Sequence, residues 1–140
     1  MIRIGIAVLV LGACGAAQVR PEEDLTESIH QFNEGIRWGR FEIAASSIPP
    51  KERSKFIDEM DQLATDIKIT DYEIINVEAH GPREARVQLK ITWYKDPENI
   101  VRETSATQTW ERHGKIWMMV DETRLRGAEM PGLAEKVTER

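Results

Sequence analysis

Residues 85 to 93 alternate apolar and polar side chains without a miss: Ala85, Val87, Leu89, Ile91 and Trp93 against Arg86, Gln88, Lys90 and Thr92. A period of two predicts a strand with one face in a core and the other in water. Such a strand needs pairing neighbours and a layer to cover its apolar face. Downstream, Lys95-Asp96-Pro97-Glu98-Asn99 predicts a loop and Ile100 to Arg112 a Thr-rich strand. His113-Gly114 predicts a tight connection into Ile116 to Val120, a strand apolar on both faces. Upstream, Ile67 and Ile69, the adjoining Ile74 and Ile75, then Val77 and Ala79 predict a strand interrupted by a bulge or bend, ending at the turn His80-Gly81-Pro82. Four strands in hairpin order predict an antiparallel meander.

Before residue 67 the period is helical. Asp24 with Glu27 three residues later has the form of a capping box, and Leu25, Ile29, Phe32 and Ile36 follow on one face of a helix. Trp38 and Phe41 flank Gly39, which breaks or redirects that helix. Ala44, Ala45 and Ile48 predict a short second helix. Pro50 opens a third, with Phe56, Met60 and Leu63 as its stripe. The expected fold is therefore α+β, with N-terminal helices packed on a four-stranded antiparallel sheet spanning residues 24–126. Residues 127–140, which carry Pro131, Gly132 and mixed charge, read as a polar C-terminal tail, a short helix or a frayed end.

The first 14 residues, MIRIGIAVLVLGAC, hold one Arg, a short apolar run and the chain's single cysteine behind Leu11-Gly12-Ala13. The apolar stretch is far below the roughly 20 residues of a spanning helix and fits a secretory signal. The arrangement resembles the signal peptide and lipobox of a bacterial lipoprotein. That resemblance implies cleavage after Ala13, a diacylglyceryl group on Cys14, and firm attachment, because two or more acyl chains hold stably where one does not. It also implies the outer membrane, since Gly15 rather than Asp follows the cysteine, if the source has two membranes. Residues 14–23 read as the lipidated cysteine and a tether. The readings that compete are ordinary signal cleavage near Ala16 or Ala17 and a cytosolic protein with an apolar start.

Charge narrows the partners. Removing residues 1–13 takes away only Arg3, so 19 basic against 24 acidic residues becomes 18 against 24, a net charge of −6. An acidic domain is ill suited to displace counterions from nucleic acid or to grip anionic lipid. With Cys14 acylated no thiol remains for a disulfide, so a packed core must carry the fold.

The order of elements, the break at Arg37-Trp38-Gly39-Arg40-Phe41, the entry Ile69-Thr70-Asp71-Tyr72-Glu73-Ile74 and the Trp110 and Trp117 hairpin resemble the nuclear transport factor 2-like superfamily. A cystatin-like arrangement, one helix wrapped by a similar sheet, is the alternative. The superfamily resemblance implies a curved sheet and helices enclosing a cone, an active site in some members and a ligand pocket or plain core in others. Pairing through the outer sheet face, and so a homodimer, is also implied. In the enzymes resembling ketosteroid isomerase or scytalone dehydratase, Asp, His or Tyr inside the cone moves protons, which makes Asp71, Tyr72, His80, Tyr94 and Asp121 the candidates here. A carboxylate and a phenol in an apolar pocket suit that chemistry because burial raises a carboxyl pKa. Strand entries, turns and strand ends are nevertheless places where polar groups meet water.

Other constellations are weaker. His30, His80 and His113 lack a second His or Cys at ligand spacing, so no metal and no cofactor is expected. Ser46, Ser47, Ser54 and Ser105 lack the glycine framing of a nucleophile elbow, and there is no glycine-rich phosphate loop. Trp38, Trp93, Trp110 and Trp117 read as packing before ligand platform. Arg83, Arg86, Arg102, Arg112, Arg124 and Arg126 read as a solvated face paired with local acids. The two apolar faces of Ile116 to Val120 call for two covers: the helix layer, and the tail, a second copy or another envelope protein. The functional expectation is a membrane-anchored envelope lipoprotein, a noncatalytic accessory or binding protein. The alternative is a small cone-pocket lyase or isomerase.

Overall fold

Alternation at 85–93 becomes an interior strand of the sheet in the computed structural model, which describes residues 21–136. The signal segment, Cys14 and most of the tether lie outside the described residues. Helix α1 (Pro21–Arg37) opens three residues before the expected cap, so Asp24 lies within it and the capping-box reading is corrected. Pro21 is compatible with that start because a first-turn residue needs no amide donor. The chain reverses at Gly39, whose φ of 68° suits a residue without Cβ. It continues through α2 (Phe41–Ala45), a 3-10 turn (Pro50–Glu52) and α3 (Arg53–Leu63). Arg53 ties the α2–α3 connection by donating from Nε to the Ile48 carbonyl at 2.9 Å.

The sheet runs β1 (Ile67–Ala79), β2 (Glu84–Lys95), β3 (Arg102–His113) and β4 (Ile116–Gly127) as an antiparallel meander. Its third strand starts at Arg102 rather than Ile100, leaving Ile100 and Val101 exposed in the preceding loop. A fifth strand, β5 (Ala134–Glu135), pairs parallel to β4. The tail reading is thereby corrected: part of 127–140 completes the sheet, and Met130 and Leu133 pack against the core around Leu89, Ile91 and Trp93. The expectation missed it because two residues of pairing leave no periodicity to read. Three helical segments on one side also decide against the single helix of a cystatin-like arrangement.

Four irregularities bend the sheet. Thr70 and Ile75 are extra residues in β1 relative to β2, and Val120 and Leu125 are extra residues in β4 relative to β3. Each bulge adds local twist and turns the strand. The concave face carries Ala85, Val87, Leu89 and Trp93 from β2 and Ala106 and Trp110 from β3, all 0–1% exposed. Trp117 and Met119 of β4 join them, whereas Ile116 is exposed and Met118 and Val120 are half-buried. The strand expected to be apolar on two buried faces thus buries one fully.

Candidate functional site

The core is filled at one end of the cone and hollow at the other. Beneath α1 and α2, Leu25, Ile29, Phe32, Ile48, Trp110 and Trp117 close the space, with the Phe32 and Trp110 rings edge-on at 5.9 Å. Towards the C-terminal end of α1, the helices and sheet separate around a cavity of about 310 Å³. Ile36, Phe56, Met60, Leu63, Ile91 and Met130 supply its apolar wall. Segment 130–133 runs along its edge, held by its contacts and by β5. At Gly132 a φ of 83° favours glycine, and a Cβ there would require the Leu63 side chain to shift.

One carboxylate faces this space, and it is Glu122. Strict alternation from Trp117 and Met119 would send Asp121 inward. The extra residue Val120 shifts the parity, so Asp121 pairs opposite outward Thr109 and is exposed, while Glu122 pairs opposite buried Gln108. The bulge selects the neighbour.

Gln108 anchors a polar group embedded in apolar surroundings. Its Nε2 donates to Glu122 Oε2 at 2.6 Å and to Asn33 Oδ1 at 2.9 Å. Its Oε1 accepts from Trp110 Nε1 at 3.1 Å and more distantly from Asn33 Nδ2 at 3.4 Å. Asn33 Nδ2 also donates to the Ile29 carbonyl at 2.9 Å. An indole N–H only donates, so the amide oxygen of Gln108 must face Trp110 and its NH₂ must face Glu122. Burial pushes the Glu122 carboxyl up from the ordinary range; the Gln108 hydrogen bond opposes this and the Asp121 charge adds to it. Among the described residues, Glu122 has no ion-pair partner.

Tyr72, which pairs opposite Ile91, also lines the cavity. Its hydroxyl lies 3.2 Å from His30 Nδ1. Burial, then the neighbouring Glu34, pushes the phenol up to about 12. Of the five expected site residues Tyr72 alone enters the cone. Asp71 is exposed and pairs with Arg37 at 3.5 Å, and His80 sits at the far turn beside Glu78 at 3.8 Å. Tyr94 pairs opposite Lys68 and lies on the same outward parity as Thr92. These placements correct the expectation for Asp71, His80, Tyr94 and Asp121.

At the mouth, Trp38 is 62% exposed, its Nε1 donating to Glu34 at 2.7 Å and its ring stacked under the Arg37 guanidinium at 4.9 Å. The other three tryptophans are core, as packing requires. Lys68, also on the wall, donates from Nζ to the Ala64 carbonyl at 2.8 Å. Three of the six outward arginines pair with acids: Arg86 with Glu84, Arg102 with Glu98 and Arg124 with Glu135. His113 sits beside Glu111.

The sequence matches no family model and no curated protein. Solved structures do match. A scytalone dehydratase-like protein from Novosphingobium aromaticivorans superposes with a TM-score of 0.58 at 9% identity, covering 85% of this chain and 94% of the other. An NTF2-like protein of unknown function from Prochlorococcus gives 0.54 at 11% identity, covering 78% and 94%. The fold is nuclear transport factor 2-like. The intermembrane space region of the chloroplast protein ARC6 shares it, with a TM-score of 0.52 at 12% identity and coverage of 77% and 98%. At such identities the kinship is one of fold, and function must be argued from the cavity itself.

Proposed function

We propose that this chain is a bacterial envelope lipoprotein whose nuclear transport factor 2-like domain binds a small, mainly apolar ligand, in an accessory rather than catalytic role. The observation that carries the binding reading is the hollow end of the cone: an apolar cavity with one carboxyl group on its wall, the usual composition of a small-molecule site. The anchoring part rests on the lipobox-like Leu11-Gly12-Ala13-Cys14. The intermembrane space region of ARC6 is an example of the fold placed between membranes, which agrees with an envelope location. In this reading a second copy or an envelope partner meets the outer sheet face, where Met118 and Val120 are half-buried and Ile116 is exposed.

A lyase or isomerase reading is favoured by one observation, the raised carboxyl of Glu122 sharing a cavity with the Tyr72 phenol. A carboxyl whose proton affinity is raised by burial is the kind of group that can take part in proton transfer. Binding is the stronger reading because one oxygen of Glu122 is already engaged by a fixed amide and Tyr72 is engaged at its hydroxyl by His30.

Purification from the native host tests both parts together. Mass spectrometry is expected to find a diacylated N-terminal Cys14, and organic extraction a small apolar molecule released from the protein. The Cys14→Ser variant is expected to leave the membrane fraction. A free thiol at Cys14, or a start beyond it, contradicts the anchor; an empty extract at full occupancy of folded protein contradicts the binding role.

A further inference from the structure

The proposed binding role leaves open what kind of head the ligand carries, and the charges around the cavity answer it. Among the described residues its charged lining is Arg37 from the end of α1, Lys68 near the start of β1, and Glu122 on β4. In a chain with 19 basic against 24 acidic residues, a lining with more cations than acids runs against the composition. The charges are also segregated. Lys68 stands on β1, and Arg37 reaches that strand through Asp71 at 3.5 Å. Order β1-β2-β3-β4 puts β1 and β4 three strand spacings apart, about 14 Å along the sheet. One side of the cavity is thus cationic and the other holds the acid.

Neither cation is fully engaged. Among the described residues Lys68 has no ion-pair partner, and its Nζ donates to the Ala64 carbonyl at 2.8 Å. Ala64 caps α3, and the free carbonyls of a helix C-terminus hold an ammonium group in place. The rest of its N–H donors are left for a ligand. Arg37 meets Asp71 through Nη1, and the Asp71 side chain is 65% exposed. An ion pair so open to water is weak and yields to a better-held acceptor. The guanidinium lies over the Trp38 ring at 4.9 Å, which fixes it at the mouth. With Asp71 counted, Arg37 and Lys68 leave one positive charge in excess, which a monoanion balances.

Resting on the binding role above, we infer that the cavity takes a single-chain carboxylate, its head held by Arg37 and Lys68 on the β1 side and its apolar body lying against Ile36, Phe56, Met60 and Ile91. Size sets the length of the chain. The cavity, about 310 Å³, is roughly twice the ~150 Å³ apolar hole that accepts one benzene. In proportion it holds about twelve non-hydrogen atoms, the size of decanoate. A neutral chain of the same bulk leaves both cations to water and weak partners. A cationic one meets them as like charges.

Three probes with one tail and different heads test this at neutral pH: decanoate, decanol and decylammonium. Equilibrium dialysis against the full-length chain in phosphatidylcholine nanodiscs reads their binding, and empty nanodiscs give the partition to subtract. Decanoate is expected to bind about tenfold more tightly than decanol, the worth of a charge-assisted hydrogen bond, and decylammonium more weakly than either. Arg37→Gln and Lys68→Gln are each expected to lower the decanoate preference about threefold, and the double variant to bring it level with decanol. Arg37→Lys keeps the charge and is expected to keep most of the preference, which a fault in folding would not allow. Decanol binding as tightly as decanoate, or a preference that survives intact in the double variant, overturns the inference and leaves the binding role standing. Failure of all three probes overturns the binding role and the inference with it.

Discussion

The two ends of the cone use the same concave sheet to opposite effect. At the end under the first half of α1, Trp110 and Trp117 rise from β3 and β4 into Phe32, Ile29 and Leu25, and the interior is solid. At the other end β2 contributes Ile91 where β4 contributes Glu122, the helices present Ile36, Phe56 and Met60, and a cavity remains. The side chains at the second end are no smaller as a class. What differs is β4, whose inward positions pass from Trp117 and Met119 to Glu122 across the bulge at Val120, and segment 130–133, which runs along the edge of the opening. The same sheet thus carries a filled core at one end and a cavity at the other, and the shift of one residue in register decides which acid faces that cavity.

The sharpest way to break this contrast is to hollow the solid end. Trp110→Ala removes a fully buried indole and the shorter of the two hydrogen bonds to the Gln108 amide oxygen. It is expected to cost about 3–5 kcal/mol in denaturant unfolding, the range for large aromatic deletions. A loss below about 1 kcal/mol would mean that the filled end is not the source of stability. Trimming the hollow end is expected to matter much less. Met130→Ala removes a side chain that lies on the rim of an existing cavity, and a cost of about 1 kcal/mol is expected, since little new void is created. A Met130→Ala cost equal to that of Trp110→Ala would show that segment 130–133 is core and that the cavity is filled in solution.

The solid end was the legible one. Leu25, Ile29, Phe32 and the run from Ala85 to Trp93 announce their inward faces by spacing alone, because regular helices and strands translate period into direction. The β1 irregularity was legible too, through adjoining Ile74 and Ile75. The container was not. Glu122 is chosen over Asp121 by a bulge at Val120 that no residue type marks, since valine there serves an ordinary strand equally well. Gln108 and Asn33 find each other across 75 positions of sequence, and neither periodicity nor spacing brings them together. Tyr72 was brought forward by the superfamily resemblance, among the Asp, His and Tyr residues that it made candidates. Asp71, one position away, follows the same pleat to the opposite face.

The direct test of the account is the pH dependence that Glu122 gives to stability. A carboxyl raised above its ordinary value of 4.5 binds its proton more tightly in the folded chain than in the unfolded one. Its stabilising contribution is therefore complete below the unfolded value and is lost as pH rises through the folded value. Denaturant unfolding of the wild type and of Glu122→Gln, compared between pH 4 and pH 9, is expected to show wild-type stability falling relative to the variant as pH rises. A difference that stays level, or that grows in favour of the wild type at high pH, would place an ordinary glutamate at that position and contradict a carboxyl of raised proton affinity on the cavity wall.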